Sequence, residues 1–324
     1  MNLFPCTLVY VDVDAKPGPN STNRDPLSYL TQAICLNNSL RRAGMPRLTI
    51  MTNALATVAQ RLDSMPPENR PAVATLATTI ELPKNTPFYA AHFKLDLMDQ
   101  VAETLPADTM MLLLDADMVA LLPLDRNLIE RCAQAGLGAF DISDQVFPAY
   151  GSERVVADLE IVADGRLRNP RWYGGEFLLA TSASLRRLVP RARASYARYL
   201  SESERLKHHG DEAFISAALN ALVDEGQALI EVGAYQAVGR HWPGNNYRDL
   251  RWFRCCSFVH LPGGKALLEK EARFAEFTPN RFWRHMRAAH LRGRVRHAVK
   301  RLARMLSVER LATLSAYALR SVKS

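Results

Sequence analysis

Two aspartates separated by one residue follow an apolar run in the middle of the chain, and they are the strongest candidates for chemistry. Residues 110–114 are all methionine or leucine, and Asp115 and Asp117 come directly after them. Alternate residues of an extended chain point the same way, so both carboxylates can face one cation. Hard oxygen ligands suit Mn²⁺ or Mg²⁺, which usually complete their shells with substrate phosphates. The pattern predicts a divalent-cation site; the alternative is a solvated aspartate pair at a strand end.

A second aspartate pair of the same shape lies near the start of the chain. Asp12 and Asp14 follow an apolar run that includes Tyr10, and a loop rich in Pro, Gly and Asn comes next. We interpret the edge formed by Tyr10, Asp12 and Asp14 as one side of a nucleotide pocket, without preference between the two acids. The alternative is again a solvated strand end.

A histidine, two glycines and a lysine follow a short apolar run late in the chain. His260 leaves this run, and Gly263 and Lys265 come after it. A neutral imidazole can bind a metal, a glycine lets backbone approach a phosphate closely, and a lysine can neutralise diphosphate charge. A lone histidine is more often structural. Combined with the aspartate pair upstream, however, this group favours a site for a metal and a diphosphate.

The segments that must position these residues alternate between apolar runs and amphipathic stretches. The runs predict strands over residues 8–13, 47–51, 80–82, 110–114, 138–142, 177–180 and 258–260. Helical spacing predicts helices over residues 28–43, 93–101, 184–200 and 213–223, and the polar stretch from 143 to 170 is typical of a loop or short hairpin. Such alternation predicts an α/β fold with a mostly parallel sheet between helices. Ligands bind at the carboxyl ends of the strands in such sheets.

Composition is that of a folded globular protein: of 324 residues, 48% are hydrophobic and 23% are charged. The five cysteines are an odd number and show no C-x-x-C spacing, so we expect them to be reduced in a cytoplasmic protein. The sequence shows no targeting segment, and no apolar stretch reaches the roughly 18 residues of a membrane helix.

Positive charge is concentrated at the end of the chain. Residues 281–324 contain 12 Lys or Arg and one acid, a net charge of +11, whereas the preceding 280 residues carry −3. We therefore predict a domain over residues 1–278 and a basic amphipathic helical tail over 279–324. Apolar residues among the arginines favour binding of residues 281–306 to an anionic membrane surface. The alternative is a helix packed on its own domain with a solvated basic face. Nucleic acid is not expected, because no recognition motif accompanies the charge.

The order of these motifs resembles the GT-A fold glycosyltransferases. The string runs from D-x-D, through a Gly-rich strand and an acidic helix start at Asp211 and Glu212, to H-x-x-G-x-K. Family 8, which includes the glycogenins and bacterial lipooligosaccharide galactosyltransferases, is the closest in pattern over roughly residues 5 to 268. The resemblance implies a GT-A, Rossmann-like catalytic domain. It also implies that Asp115, Asp117 and His260 are metal ligands and that Lys265 binds the diphosphate.

The resemblance extends to further residues with expected roles. In the string at residues 89–95, it implies that His92 or Lys94 reaches the diphosphate, and it places Asp141 beside the transferred sugar. We expect Asp211 or Glu212 to hold acceptor hydroxyls or to stabilise an oxocarbenium-like centre, while capping a helix. Residues 172–177 stand where family 8 has an Asn-Ala-Gly string. The Gly-Gly strand followed by an Asp-Glu pair also resembles the blood-group-type transferases.

The resulting expectation is a metal-dependent, retaining glycosyltransferase. It would move a hexose from a nucleotide-diphosphate sugar to a glycan or lipid-linked acceptor, with Mn²⁺ or Mg²⁺ as cofactor. One alternative is a haloacid-dehalogenase-type phosphatase with Asp12 as nucleophile, although Ala15 occupies the position expected for Thr or Val. The other is a non-catalytic protein that binds a membrane surface through its tail, consistent with a peripheral location on the inner face of a membrane.

Overall fold

The computed structural model describes residues 1–12, 25–83, 86–243 and 248–321, with side chains up to residue 303. Asp14 lies outside the described residues. The strands in these ranges are β1 (Asn2–Leu8), β2 (Thr49–Thr52), β3 (Ala72–Thr75), β4 (Thr109–Leu114), β5 (Met118–Ala120), β6 (Leu137–Asp141), β7 (Tyr173–Thr181), β8 (Ile230–Glu231), β9 (Val238–Arg240) and β10 (Phe258–His260). The α-helices are α1 (Ser28–Arg42), α2 (Leu55–Leu62), α3 (Lys94–Thr104), α4 (Arg126–Ala135), α5 (Ser143–Tyr150), α6 (Ser152–Ala163), α7 (Ser182–Ser201), α8 (Asp211–Asp224), α9 (Leu250–Phe253), α10 (Lys265–Glu271) and α11 (Pro279–Ser321). Short 3₁₀ turns cover Pro67–Asn69, Tyr89–Phe93 and Gly233–Tyr235.

Seven strands form one sheet in the order β3-β2-β1-β4-β7-β6-β8, and three form a smaller sheet in the order β5-β10-β9. In the large sheet β7 runs antiparallel to both of its neighbours, β4 and β6, while the other neighbouring pairs are parallel. The predicted α/β fold with a mixed, mostly parallel sheet between helices is therefore confirmed. β4 lies in the middle of this sheet, and residues 110–114 are almost completely buried.

Several predicted elements are confirmed with shifts of one or two residues at their ends, among them α1, β2, β4, α7 and β10. Two strand predictions were wrong. The first strand spans Asn2–Leu8 and not residues 8–13, because its ladder with β4 begins at Asn2. No described strand covers residues 80–82; here the backbone N–H groups of Thr79 and Ile80 donate to the Asp96 carboxylate.

The polar stretch after β6 was predicted as a loop or hairpin, and it instead forms α5 and α6. Val155, Leu159 and Val162 recur at helical spacing in α6 and are buried. Three to four apolar residues on one face in every two turns are typical of a helix that packs on a core. Seven of the twelve residues of α6 are apolar, so this periodicity was visible in the sequence.

The first turns of α11 pack on the domain. Phe282, Trp283 and Met286 are buried in a second apolar cluster together with Val119 of β5 and Val259 of β10. Beyond them α11 carries exposed apolar side chains, namely Leu291, Val295, Val299 and Leu302. Within the described part of the chain, no helix has the length and apolar character needed to cross a membrane. All five cysteines are free.

Candidate active site

One strand pairing brings the predicted metal ligands together from distant parts of the sequence. β4 delivers Asp115 and Asp117 at its carboxyl end, and the chain then enters β5 directly. β10 pairs antiparallel with β5 so that His260 lies opposite Met118. The N–H of Leu261 donates to the carbonyl oxygen of Asp117 at 2.9 Å, which extends this pairing by one step. Register alone therefore places the imidazole beside the aspartate pair.

The side chains of Asp115, Asp117 and His260 form a compact group. One ligand atom from each lies within 4.8 Å of the others. The His260 Nε2 atom is 3.0 Å from Asp117 Oδ1 and 3.9 Å from Asp115 Oδ2. The side chains of Asp117 and His260 are buried, but that of Asp115 is 25% exposed. The group is therefore open to solvent on the Asp115 side, where a ligand can enter.

Behind this group lies a buried ion pair that the sequence reasoning missed. Glu176 of β7 is completely buried. Its carboxylate accepts two bonds from the Arg240 guanidinium, at 2.9 and 3.0 Å, and Oε1 lies 3.1 Å from His260 Nδ1. Arg240 also donates to Glu212 Oε1 at 2.5 Å. The signal that could have found Glu176 is a carboxylate within an otherwise apolar buried strand.

Two lysines flank the group. The Nζ atom of Lys94, at the start of α3, lies 2.5 Å from Asp115 Oδ1 and 2.8 Å from Asp211 Oδ2, and it donates to the carbonyl of Gly175. Lys265 Nζ lies 3.7 Å from Asp117 Oδ2 and donates to the Tyr29 hydroxyl at 3.0 Å. Both lysines are thus positioned to meet an anion that approaches the aspartates.

The Gly174-Gly175 pair in β7 is required by close approach. A Cβ atom on Gly175 would overlap the Asp211 carboxylate and press on Lys94 Nζ, and one on Gly174 would overlap the side chain of Glu176. Any larger residue would displace these charged groups. Gly175 therefore makes room for the contact of Lys94 with Asp211, and Gly174 makes room for the side chain of Glu176.

Burial and neighbouring charges together shift the pKa values of the candidate ligands in different directions. Burial raises the pKa of Asp115 to about 6, despite the opposing effect of Lys94. Burial would also raise the pKa of Asp117, but His260 and Lys265 lower it to about 2. Burial would lower the pKa of His260, but Asp117 and Glu176 raise it to about 10. The metal-free group therefore holds a proton on His260 near neutral pH.

The donor set fits a divalent cation. Two carboxylates and one imidazole provide the mainly oxygen ligands that suit Mn²⁺ and Mg²⁺. In the network that these contacts join, five carboxylates (Asp115, Asp117, Glu176, Asp211, Glu212) face the permanent cations Lys94, Lys265 and Arg240. With His260 neutral, two negative charges remain, which is the charge that one divalent cation neutralises.

The predicted acidic helix start lies next to this group. Asp211 and Glu212 are the first two residues of α8. Asp211 accepts from Lys94, whereas Glu212 accepts from Trp172 Nε1 at 2.9 Å and from Arg240. Asp211 is therefore linked to Asp115 through Lys94. Glu212 is linked to His260 through the Arg240–Glu176 ion pair.

Asp141 lies at the end of β6 and lines a cavity next to the strand end. It accepts from the N–H of Ser143 at 2.8 Å and from Arg171 at 3.2 Å. The cavity, of about 420 Å³, is also lined by Glu231. A second cavity, of about 210 Å³, is lined by both Asp141 and Arg240. Asp141 therefore borders the same cavity as the arginine of the buried ion pair.

The remaining predicted residues do not join the Asp115 group directly. His92 is fully buried; its Nδ1 atom lies 3.0 Å from the Phe88 carbonyl, and its ring packs against aromatic side chains. Tyr10 stacks on Phe93 with ring centroids 4.3 Å apart. Asp12 is not a member of the cation-compatible group found among the described residues. Gly263 lies against Trp242, where a Cβ atom would be tightly packed. The roles of all these residues stay predictions.

No protein-family model matches the chain, and no curated protein matches it in sequence. Solved structures do match. An active-site mutant of LgtC aligns with 80% of this chain and 86% of its own at 12% identity, with a TM-score of 0.50. The galactosyltransferase LgtC in complex with donor and acceptor sugar analogs aligns with 88% of this chain and 100% of its own at 13% identity, with a TM-score of 0.51. The chain therefore has the GT-A glycosyltransferase fold.

Proposed function

We propose that this chain is a metal-dependent glycosyltransferase that transfers a hexose from a nucleotide-diphosphate sugar to a hydroxyl of a glycan or lipid-linked acceptor. The observation that carries this proposal is the meeting of Asp115, Asp117 and His260 at the carboxyl end of β4, between two lysines. Carboxyl ends of strands are where α/β sheets bind ligands. The GT-A fold and the donor and acceptor analogs bound by LgtC support the same reaction class.

In this proposal Asp115, Asp117 and His260 hold Mn²⁺ or Mg²⁺. When bound, the cation supplies Lewis-acid stabilisation of the charge that develops on the departing diphosphate. Lys265 adds positive charge for the leaving group. Lys94 holds Asp211 at 2.8 Å and thereby fixes one side of the sugar site.

Asp211, Glu212 and Asp141 take the positioning roles. Trp172 and Arg240 hold the two oxygens of Glu212, so its carboxylate is fixed in direction. A carboxylate fixed in this way can orient an acceptor hydroxyl or face a positively charged sugar centre. Retention of anomeric configuration follows the family 8 resemblance.

The proposal is tested by thermal shift with a panel of UDP-, GDP- and CMP-sugars, each with and without Mn²⁺. A bound donor stabilises the folded protein by about 2.7 kcal/mol at a concentration of about 100 Kd. We expect one donor class to raise the melting temperature in Mn²⁺ and not in EDTA. Hydrolysis of p-nitrophenyl phosphate, with no response to any nucleotide sugar, would instead favour the phosphatase.

Affinity for Mn²⁺ should increase with pH. His260 has its pKa raised to about 10 in the metal-free protein, and a metal ligand must give up this proton. Below that pKa each pH unit should therefore tighten Mn²⁺ binding by about tenfold. Calorimetric titrations at about pH 6.5 and 7.5 measure this, with His260→Ala as the variant in which the dependence should flatten. Equal affinity at both pH values in the wild type would exclude His260 as a ligand.

We further propose that α11 binds an anionic membrane surface. Leu291, Val295, Val299 and Leu302 recur at intervals of four, four and three residues, so they share one face of the helix. Each of these side chains is 56–62% exposed. Arginines at positions 292, 294, 296 and 301 lie between them, as in interfacial helices. Residues 304–306 of the predicted contact lie beyond the described side chains.

Vesicle flotation tests this contact. The protein should float with vesicles containing about 30% anionic lipid and stay behind with neutral ones, and about 0.5 M salt should release it. Leu291→Ser together with Val295→Ser removes exposed apolar surface and should weaken binding at least about tenfold. Leu122→Ser with Val223→Ser, an exposed pair on the body of the domain, is the matched control. Unchanged flotation of the tail variant would exclude this face.

A further inference from the structure

A carboxylate in the middle of a buried strand needs a reason, since burying an unpaired charge is costly. In β7, Glu176 lies between Gly175 and Phe177 and is completely buried. It lies in the segment where this sequence departs from the family 8 pattern. Both of its oxygens are occupied: Oε2 by Arg240, and Oε1 by Arg240 and His260.

The contact between Glu176 and His260 fixes one hydrogen of the imidazole ring on Nδ1. An ionised carboxylate accepts hydrogen bonds and cannot donate them, so Nδ1, at 3.1 Å from Glu176, must be the donor. Nε2 also faces a carboxylate, Asp117, at 3.0 Å. Asp117 is itself a candidate metal ligand and Glu176 is not, so a bound cation would take the lone pair of Nε2 and leave Nδ1 donating its hydrogen to Glu176. Nε2 is thus the nitrogen that faces the two aspartates of the candidate metal site.

We propose that Glu176 is a positioning residue that fixes the tautomer and ring direction of His260, so that Nε2 is presented to a divalent cation. This inference rests on the proposed metal site. It assigns to Glu176 the role of holding the metal-binding histidine through the nitrogen that does not face the aspartates. A carboxylate behind a metal-binding histidine raises the basicity of the ligand and holds its ring.

Arg240 offsets the cost of burying the Glu176 charge. Arg240 and His260 lie opposite each other on the parallel strands β9 and β10, so their side chains leave the small sheet side by side. The guanidinium neutralises Glu176 with two hydrogen bonds and reaches Glu212 with the same Nη2 atom. Glu176 and Arg240 therefore connect the metal-binding histidine with the acidic start of α8.

A purely structural role of Glu176 would lead to a different experimental result. If Glu176 serves to neutralise Arg240 and nothing more, its loss should lower stability and leave metal binding unchanged. The chain offers a matched control, because Glu271 is also a buried carboxylate that binds one arginine and one histidine, Arg281 and His285. Glu271 lies in α10 and contacts α11, outside the candidate site.

The experiment is a Mn²⁺ titration of metal-free wild-type protein, Glu176→Gln and Glu271→Gln. We expect Glu176→Gln to weaken Mn²⁺ binding by about 10- to 100-fold and Glu271→Gln to change it less than about twofold. Binding by Glu176→Gln within twofold of wild type would overturn the proposal. If Glu176→Gln does not fold, the double variant Glu176→Gln/Arg240→Gln replaces it. This variant removes both charges of the ion pair, so neither is left buried without its partner. The same criterion then applies to it.

A second measurement uses the wild-type protein alone. Long-range ¹H–¹⁵N NMR of the Mg²⁺-loaded protein should show His260 with hydrogen on Nδ1 and none on Nε2. Hydrogen on Nε2 would overturn the proposal whatever the variants do. Failure of the proposed function looks different: the protein would bind Mn²⁺ in the predicted way yet respond to no nucleotide sugar.

Discussion

Asp117→Asn is expected to reduce Mn²⁺-dependent sugar transfer by about a thousandfold, because it removes a ligand charge and keeps the shape of the side chain. Asp117 is the carboxylate in contact with His260, and Lys265 lies 3.7 Å away. Without its charge, these two cationic groups repel an incoming metal. Release of nucleoside diphosphate from the donor identified by thermal shift, at saturating Mn²⁺, measures the loss.

Asp108→Asn is the matched control for this variant. Asp108 is an exposed aspartate just before β4, at the opposite end of the strand from the site. The control should retain wild-type activity, and both variants should unfold cooperatively. Full activity of Asp117→Asn would remove the metal role from the mechanism altogether.

Lys94→Met should lower the free energy of unfolding by about 3–5 kcal/mol in metal-free protein. Lys94 is buried and contacts Asp115 and Asp211, so its removal leaves these two largely buried carboxylates with no cation between them. Burial on its own would lower the pKa of Lys94, but the two aspartates raise it well above its usual value. The cost should shrink as the pH falls, because Asp115, whose pKa burial raises to about 6, can then take up a proton. Urea denaturation near pH 7.5 and pH 5 measures both effects.

Mn²⁺ should restore part of the stability lost in Lys94→Met, since a bound cation supplies positive charge beside Asp115. The increase in unfolding free energy on adding Mn²⁺ should therefore be larger in the variant than in the wild type. Lys207→Met, at an exposed loop position, is the control and should stay within about 0.5 kcal/mol of wild type. A Lys94→Met protein as stable as this control would show that the buried ion pairs contribute nothing.

The elements around the candidate site could be predicted where composition and periodicity agree. The pure run before Asp115 identified β4, because a strand buried on both faces is apolar throughout. Pro5 lies within β1, in the middle of the large sheet, and proline is unusual there. The strand was therefore predicted too late in the chain. The small residues of β3 (Ala72–Thr75) gave no strand signal at all.

The convergence of the ligands could be inferred from motif order, but not their contacts. The placement of His260 beside Asp117 depends on the register of β10 against β5, and register is decided by tertiary packing. The Glu176–Arg240 pair joins positions 64 residues apart. Arg240 belongs to no short motif, and Glu176 lies in residues 172–177, where the sequence departs from the family 8 pattern. Partners of this kind become visible only when the strands are placed side by side.

The origin of the small sheet has a consequence for biosynthesis. Its strands come from residues 118–120, 238–240 and 258–260, so the proposed cation ligands can meet only after residue 260 has left the ribosome. Contacts of such long sequence separation form late, after the loop between them has closed. In the proposed function, the complete three-ligand site is therefore a late product of folding. Uptake of a cation by all three ligands would mark that the small sheet has formed.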